Sequence, residues 1–449
     1  MRTDRQPSAV TAITRRDALR GILLGGAGLA IPGLFSRALC ADTAPAGPAK
    51  AVIQIWLWGG PSHIDTFDPK PGAGASFCGP LNKTIPTNVD GIHVGQLLPL
   101  LAQQADKYSI IRSMTHGVNG HETASYITQT GHTPGGKRIV YPAVGAVASM
   151  IKGFESGYRG EVPPYVVMTR PLGRFSESGF LGLKYKPFVT GGDPNRRPFA
   201  VEGIVQEGIS RERQLARRAL LDQLDSLGRA MPDDPRFRRC DKDEKKAYEM
   251  ILGDAGKVFD LSTESDAVRD RYGRSKFGQS CLAARRLVES GVPYVAINYE
   301  GWDTHKRHFE AMGRKLPEMD RGMSALLEDL AQRGLLDSTI VWWGGEFGRT
   351  PRVQWDAPWN GGRGHFGACF SHVLAGGGFA GGRVVGASDE TAENVVQRPV
   401  HPRELIASIY QQLGIDPDGP MPNAGGLKVP VLPPAPEGVP NKGRLHELI

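Results

Sequence analysis

Residues 339–365 have the sequence TIVWWGGEFGRTPRVQWDAPWNGGRGH, which joins an apolar run to a polar loop. The run Thr339–Trp343 is rich in β-branched and aromatic residues and predicts a buried strand. Two glycines end it, and Glu346, Arg349 and His365 follow in a loop rich in Gly and Pro. In α/β proteins such a strand gives a site its rigidity, and the loop at its carboxyl end supplies the chemistry.

Two other apolar runs end in the same way. Residues 52–58 and 292–298 each lead into glycine and then into Asp close to His. The three strand ends together supply six potential metal ligands, which are His63, Asp65, Asp303, His305, Glu346 and His365. Carboxylate oxygens and imidazole nitrogens suit a divalent ion, and zinc, manganese and calcium are the candidates.

Each of these residues also has a simpler structural explanation. An Asp in a loop often stabilises a turn, a single His is often a surface residue, and Glu346 could pair with Arg349. Their shared position at predicted strand ends favours a site over these separate explanations. Three arginines, Arg112, Arg349 and Arg363, could bind an anionic substrate or could neutralise the carboxylates, and the sequence leaves both roles open.

Strands alternate with helices along most of the chain, which predicts a three-layer α/β sandwich around a mostly parallel central sheet. We expect strands at 51–58, 108–112, 163–169, 292–298 and 339–343, helices at 121–131, 308–333 and 402–413, and a late hairpin made of 371–375 and 383–385. The α/β domain is expected to span 51–415, with 170–290 partly an insertion or cap. A Pro-rich tail follows at 416–449, and its residues 417–440 are expected to be extended on the surface.

The amino terminus is predicted to be an export signal. Residues 14–20 contain an Arg pair before an apolar Gly/Ala-rich run at 21–34, a pattern typical of twin-arginine signals. We expect a signal at 1–41, a linker at 42–50 and a periplasmic or cell-surface protein. No stable membrane span is expected after cleavage, because the apolar run is shorter than the roughly 20 residues that a spanning helix needs.

The charge of the predicted mature chain is close to neutral. Residues 1–41 carry six Arg and two Asp, so their removal lowers the formal net charge from +7 to +3. The sequence contains no basic run with interleaved aromatic residues, so it gives no indication of nucleic-acid binding. Four cysteines remain, and none forms a C-x-x-C pair, which argues against a thiolate zinc site. They are Cys78, Cys240, Cys281 and Cys369, and disulfides and buried free thiols both remain open.

Four motifs occur in an order that resembles an uncharacterised family of exported bacterial proteins with a domain of unknown function. They are GGPSHIDTFDPKP at 59–71, RSMTH at 112–116, GWDTH at 301–305 and GEFGRTP at 345–351. The resemblance covers nearly all of residues 50–415. That family in turn resembles a distant branch of the alkaline phosphatase and sulfatase superfamily. The resemblance implies an α/β sandwich with two metal ions at strand ends and a nucleophile at a helix start.

The same resemblance implies a role for single positions. The first-strand acid corresponds to Asp65, the nucleophile to His121, the middle pair to Asp303 and His305 (or His308), and the final His to His365. Two positions depart from the pattern. A Ser, Thr or modified Cys is usual where His121 stands, although Thr123 and Ser125 are nearby, and Glu346-Phe347 replaces the usual Asp-His.

The resemblance implies an exported, metal-dependent hydrolase of phosphate or sulfate esters that acts on an anionic small molecule or polysaccharide. His121 would be nucleophile, general acid/base or ligand, and Arg112 and Arg349 would bind the anion. The alternative is a catalytically degenerate member that serves as an extracytoplasmic binding or structural module. The altered nucleophile and the missing His favour that alternative.

Overall fold

Within the residues described by the computed structural model, the strands form one large sheet and three small ones. In chain order they are β1 (Ala51–Trp56), β2 (Thr84–Pro86), β3 (His93–Gly95), β4 (Tyr108–Met114), β5 (Tyr165–Met168), β6 (Phe188–Val189), β7 (Tyr294–Asn298), β8 (Thr339–Gly344), β9 (Gly348–Arg349), β10 (His365–Phe366), β11 (Phe370–Ala375), β12 (Val384–Val385), β13 (Ala387–Ser388) and β14 (Val395–Gln397). The large sheet has the order β12-β4-β11-β8-β1-β7-β5-β6. The small sheets pair β10 with β9, β13 with β14 and β2 with β3.

The large sheet is parallel except at one strand. β1 lies between β7 and β8 and is parallel to both, and β5 and β6 continue the parallel arrangement at one side. β11 is antiparallel to both of its neighbours, β4 and β8, while β12 is parallel to β4. The predicted mostly parallel sheet is therefore confirmed, and the carboxyl ends of β1, β4, β7 and β8 lie at one edge.

Both faces of the sheet are covered by helices. Alternate residues of β1 belong to two separate hydrophobic cores, because successive side chains of a strand point to opposite faces. One core includes residues of the helices Lys276–Glu289 and His308–Gln332, and the other includes residues of Val144–Ser149 and Pro402–Gln412. Since every residue of β1 and β8 is buried, their continuous apolar sequences follow from the three-layer arrangement.

Two of the helices show features that the sequence predicts, a glycine at the end of one and a buried apolar stripe along another. Within the described residues the α-helices are Ala75–Cys78, Pro99–Ala102, His121–Thr130, Val144–Ser149, Arg211–Leu224, Ala255–Phe259, Asp266–Tyr272, Lys276–Glu289, His308–Gln332 and Pro402–Gln412. The helix His121–Thr130 ends at Gly131, whose φ of 68° lies in the left-handed region that favours glycine. The long helix His308–Gln332 buries a stripe that includes Met312, Leu316 and Met319.

The structure describes residues 47–134, 139–173, 177–205, 208–224, 230, 234, 244–245, 247–422, 425–435 and 442–449. The predicted export signal, the linker up to residue 46 and Cys240 lie outside these ranges. Residues 44–449 form one compact unit. Cys78, Cys281 and Cys369 are buried free thiols, so the structure favours that alternative for these three cysteines.

The predicted hairpin of 371–375 and 383–385 was wrong. β11 is a central strand between β8 and β4, and β12 pairs with the far side of β4, so β4 separates the two segments. The three glycines at 376–378 suggested a tight turn back onto the same sheet. They do turn the chain, and all three have positive φ, but the turn leads away from β11.

The predicted surface segment at 417–440 was also wrong for buried residues such as Val431 and Leu432. Val431 and Leu432 are buried, as are Leu445 and Leu448, and all four belong to the core that includes the helix Pro402–Gln412. The described residues of 416–449 form no regular strand or long helix, so their apolar side chains show no period that could reveal burial.

Candidate metal centre

Three side chains that could hold a metal ion meet at the edge formed by the carboxyl ends of the strands. One ligand atom each of His121, Asp303 and His365 lies within 4.8 Å of the other two. His121 is the first residue of a helix that follows β4, Asp303 lies in the loop after β7, and His365 begins β10. The three residues come from distant parts of the sequence, and the fold brings them together.

The tautomer of His365 is fixed by its neighbour. Its Nδ1 lies 2.8 Å from the backbone carbonyl of Asn119, an acceptor, so Nδ1 must carry the proton. In the neutral ring Nε2 then has a free lone pair, and this atom faces Asp303 Oδ1 at 3.1 Å. The lone pair of Nε2 and the carboxylate oxygen are both atoms that could bind a metal ion.

His305 adds a second imidazole to the same place. Its Nε2 lies 2.8 Å from His365 Nε2 and 3.1 Å from Asp303 Oδ1. Burial lowers the pKa of His305, and the carboxylate of Asp303 only partly offsets this effect. In the neutral ring, Nε2 can donate a hydrogen bond to Nε2 of His365 when it carries the proton, and it can bind a metal ion when Nδ1 carries the proton.

His121 is oriented by a buried carboxylate. Its Nδ1 lies 2.7 Å from Glu346 Oε1, which also accepts a 2.9 Å hydrogen bond from the backbone N–H of Gly59. Its Nε2 is directed at Asp303 Oδ2, 3.4 Å away. The hydrogen bond with Glu346 raises the pKa of His121, burial opposes it, and the charges of Glu346 and Asp303 reinforce it. A carboxylate on one imidazole nitrogen and a ligand position on the other is a common arrangement around metals.

Asp303 is held as a carboxylate by Arg349. Burial alone would raise the pKa of Asp303, but the hydrogen bond and charge of Arg349, with His305 and His365, lower it to about 2. Arg349 is fully buried, and it also donates to the carbonyl oxygens of Gly59, Gly60 and Arg363. Its donors thus contact the protein, so Arg349 matches the neutralising role rather than anion binding.

Two separations within this cluster, each to a different carboxylate oxygen of Asp303, are close to those between the ligands of a zinc ion. Tetrahedral zinc with bonds of about 2.0–2.1 Å places its ligand atoms about 3.3 Å apart. The separation of 3.4 Å between His121 and Asp303 and that of 3.1 Å between His365 and Asp303 are close to this value. Asp303 is 41% exposed and the His121 side chain 23%, so the cluster is accessible from solvent.

Glu346, which was predicted as a ligand, supports the cluster from behind. It is fully buried, its Oε1 contacts His121 and Gly59, and its Oε2 has no hydrogen-bond partner among the described residues. His116 donates to the backbone carbonyl of Glu346 at 2.7 Å, which fixes the start of the loop. The structure therefore places Glu346 behind a candidate ligand.

Asp65 is not part of the cluster but belongs to a separate buried group. Its two carboxylate oxygens lie 2.9 Å and 3.2 Å from Nε and Nη2 of Arg363. His308 Nε2 is 2.8 Å from Asp65 Oδ2, and Ser62 donates to the same oxygen. Burial would raise the pKa of Asp65, but the charge of Arg363 and the contact with His308 hold it at about 2. A guanidinium, rather than a metal ion, neutralises the predicted first-strand ligand.

Two further predicted site residues lie elsewhere. His63 Nε2 donates to the backbone carbonyl of Ala392 at 2.9 Å, and burial lowers the pKa of His63. Arg112 donates to the carbonyl oxygens of Phe67 and His93, and it lies 3.5 Å from Asp68. Both residues therefore stabilise loops next to the sheet, and neither contacts the cluster of His121, Asp303 and His365.

Sequence reasoning missed the residues that enclose the cluster. Trp58 and Phe347 stack near His121, with ring centroids 5.7 Å and 5.0 Å away, and Asn119 orients His365 through its carbonyl. No sequence pattern marked Asn119. Of the two nearby hydroxyls, Thr123 is exposed, and Ser125 is buried without a hydrogen-bond partner among the described residues.

Several solved structures share features of the fold at low similarity. The PsFucS1 sulfatase from Pseudoalteromonas sp. is 13% identical with a TM-score of 0.34, and the match covers 84% of this chain and 69% of that one. A protein in the alkaline phosphatase superfamily from Vibrio parahaemolyticus is 11% identical with a TM-score of 0.35, covering 83% and 70%. Phosphonate monoester hydrolase from Silicibacter pomeroyi is 10% identical with a TM-score of 0.35, covering 81% and 73%. At these values the likenesses say nothing about the activity of this chain.

Sequence comparison is more specific about the family. No curated protein sequence matches the chain. One family model, described as a protein of unknown function (DUF1501), matches residues 49–434, which is most of the chain. The chain therefore belongs to the DUF1501 family.

Proposed function

We propose that this protein is a metal-dependent hydrolase of phosphate or sulfate esters. The observation that carries the proposal is the convergence of His121, Asp303 and His365, where Nε2 of His365 and Nε2 of the neighbouring His305 each lie 3.1 Å from Asp303 Oδ1. A group of this kind, open to solvent at the carboxyl edge of a parallel sheet, lies where α/β enzymes place their sites. The motifs that resemble the alkaline phosphatase and sulfatase superfamily support the same reaction class.

The donor set favours a transition metal over calcium. Three imidazoles and one carboxylate are nitrogen-rich, whereas calcium takes six to eight oxygen ligands. Zinc and manganese both accept this combination, and zinc fits it best. Because Asp65 is bound by Arg363 and His63 by Ala392, the proposal has one metal ion rather than the two of the superfamily.

The protein residues have distinct parts in this proposal. His121, Asp303 and His365 would hold the metal with His305 at their edge, and Glu346, Asn119 and Arg349 would position them. When bound, the metal supplies a Lewis acid that polarises an ester oxygen and activates water. The helix His121–Thr130 has no side-chain cap, and its positive N-terminal end favours the charge of the anion. Water is the nucleophile we expect, because His121 is committed to Glu346.

Location outside the cytoplasm is a further part of the proposal. It rests on the twin-arginine pattern at residues 14–20, and a polysaccharide or a small anionic ester would be the substrate there. Within the described residues no helix is long and apolar enough to cross a membrane.

Hydrolysis by purified protein tests the proposal. Zinc-loaded and manganese-loaded protein would be assayed with an aryl phosphate, an aryl phosphodiester and an aryl sulfate. We expect turnover of at least one ester and a loss on the order of 100-fold or more in Asp303→Asn and His121→Ala. The exposed residues Asp337 and His446 give matched controls, Asp337→Asn and His446→Ala, which should keep full activity. Turnover of none of the esters by metal-loaded protein would refute the proposal.

A non-catalytic binding module is the second candidate, and two observations favour it. The Asp65 position is neutralised by Arg363, and His121 stands where a hydroxyl nucleophile is expected from the resemblance. A protein of this kind would bind an anionic ligand and would hydrolyse nothing. Ester hydrolysis that disappears in Asp303→Asn, while the fold is retained, would exclude this candidate.

A further inference from the structure

The loop of residues 352–362, called here the indole loop, exposes two tryptophans. Trp355 is 49% exposed and Trp359 is 37% exposed. Four other tryptophans are almost completely buried, and they are Trp56, Trp302, Trp342 and Trp343. Indole rings are large and mainly apolar, so two of them exposed on one short loop indicate a surface that contacts something else.

The indole loop is held in place by hydrogen bonds. Gln354 exchanges backbone hydrogen bonds with Gly362, and the N–H of Arg307 donates to the carbonyl of Trp359 at 3.1 Å. The Trp355 ring stacks on Phe309 with a centroid distance of 5.6 Å and an interplanar angle of 18°. Since the backbone and one ring are fixed, a ligand would meet a preformed surface and would lose little entropy in ordering it.

The indole loop borders the candidate metal centre. The Trp359 ring lies 6.2 Å from that of His305, whose Nε2 is 2.8 Å from His365. Beside Trp355 is a groove of about 460 Å³, within the size range of small-ligand sites. Its lining combines Trp355 and Phe309 with the polar side chains of Arg307, Glu310 and Asn360.

The charges around the indole loop are mixed, with more positive than negative groups. Lys306, Arg307 and Arg352 are exposed, and the acids on the same surface are Glu310, which lies 3.9 Å from Arg307, and Asp356. Arginine and lysine at the edge of a groove favour ligands with sulfate or phosphate groups. The surface therefore offers apolar ring faces, hydrogen-bonding groups and anion-binding groups within a short distance of the metal centre.

We propose that the indole loop binds the pyranose rings of an anionic glycan whose sulfate or phosphate ester lies at the candidate metal centre. This inference rests on the proposed function and names its substrate class. A pyranose has flat C–H faces that stack on indole and hydroxyl edges that bond to Arg, Glu and Asn side chains. A protein or lipid partner would instead favour a continuous apolar patch, which the charged side chains of this groove interrupt.

Binding and hydrolysis can be measured separately to test this inference. Binding of dextran sulfate, chondroitin sulfate and κ-carrageenan would be measured with wild type, Trp355→Ala and Trp359→Ala. Poly(vinyl sulfate), which has sulfate groups but no sugar rings, reports the contribution of charge alone. Phe154→Ala is the matched control, because Phe154 is an exposed aromatic residue whose ring contacts are Tyr185 and Lys184.

We expect wild type to bind at least one sulfated glycan and each Trp variant to bind it about tenfold or more weakly. Binding of poly(vinyl sulfate) and hydrolysis of small aryl esters should not change in the Trp variants, and Phe154→Ala should match wild type. Glycan binding that is equal in wild type and both Trp variants, or absent from wild type, would overturn the inference. Glycan binding without any ester hydrolysis would instead count against the proposed function alone.

Discussion

Asp65 and Arg363 form a buried ion pair next to the candidate metal centre. Both side chains are fully buried, and Arg363 also donates to the backbone carbonyls of Phe77, Thr350 and Pro351. One guanidinium thereby joins three separate loops. A buried charge is tolerated only while its partner is present, so the two residues should be strongly coupled.

Replacement of Arg363 tests this coupling. We expect Arg363→Met to lower the free energy of unfolding by about 3–5 kcal/mol, because it leaves the Asp65 carboxylate buried without its counter-ion. The double variant with Asp65→Asn should recover part of the loss. Arg170→Ala, which removes an exposed arginine paired with Glu300, should cost no more than about 1 kcal/mol. Urea unfolding of the four proteins measures these values, and equal losses for Arg363→Met and Arg170→Ala would contradict the argument.

The same ion pair predicts a pH dependence of stability. The pKa of Asp65 is about 2 in the folded protein, below its value of about 3.9 in an unfolded chain. The stabilisation is thus complete above about pH 4 and is lost as the pH falls toward 2. Urea unfolding between pH 7 and pH 3 should show a steeper loss below pH 4 in wild type than in Asp65→Asn. A parallel loss in the two proteins would show that Asp65 does not carry the effect.

The sequence predicted that Asp303 and His365 would come together, because each lies in a loop that follows a buried strand. It left open whether Asp65, in an equivalent position, would meet a metal ion or an arginine, and the structure pairs it with Arg363. The end of a strand shows which edge of the sheet a residue occupies, but it gives the position of the side chain only to within several ångströms. The choice between a metal and a guanidinium as the counter-ion depends on the path of the loop at 350–364, which has no periodic pattern.

At the scale of single elements, the loop after β8 connects the central sheet to the helix His121–Thr130 through Glu346. β8 is fully buried, and the loop that follows it places Glu346 beneath the first turn of the helix His121–Thr130. Thr128 of this helix contacts the backbone carbonyl of Glu346 at 3.3 Å, so strand and helix are joined at two points. The orientation of His121 follows from this junction, and metal affinity should therefore depend on Glu346.

Glu346→Gln tests the junction between strand and helix. The amide keeps the size of the side chain but removes its charge, and we expect metal affinity to fall about 10–100-fold while the fold is retained. Calorimetric titration with zinc measures the affinity, and circular dichroism monitors the fold. Glu300→Gln changes an exposed carboxylate and is the matched control. Unchanged zinc affinity in Glu346→Gln would mean that Glu346 does not support the metal centre.

At the scale of the whole molecule, the sequence predicts the parallel sheet but does not predict how the carboxyl-terminal segment packs. The central strands have continuous apolar runs, so the three-layer sandwich could be predicted. The antiparallel insertion of β11 and the burial of Leu432 could not, since both depend on contacts between residues far apart in sequence. The carboxyl-terminal segment completes one of the two cores rather than extending from it.

Truncation of Leu432 tests the role of this segment. Leu432 is 1% exposed, so we expect Leu432→Ala to lower the free energy of unfolding by about 2–5 kcal/mol. Leu427 lies in the same segment but is 40% exposed, and Leu427→Ala should cost less than about 1 kcal/mol. Chemical denaturation of both variants measures the difference. Equal and small losses would place the segment outside the folding unit.

The metal content of the purified protein tests the central claim most directly. Elemental analysis would compare wild type with the double variant Asp303→Ala/His365→Ala and with His446→Ala, which changes an exposed histidine. We predict about one equivalent of a transition metal in wild type and in His446→Ala, and its loss from the double variant. Metal absent from wild type, or retained in the double variant, would contradict the assignment of His121, Asp303 and His365 as a metal centre.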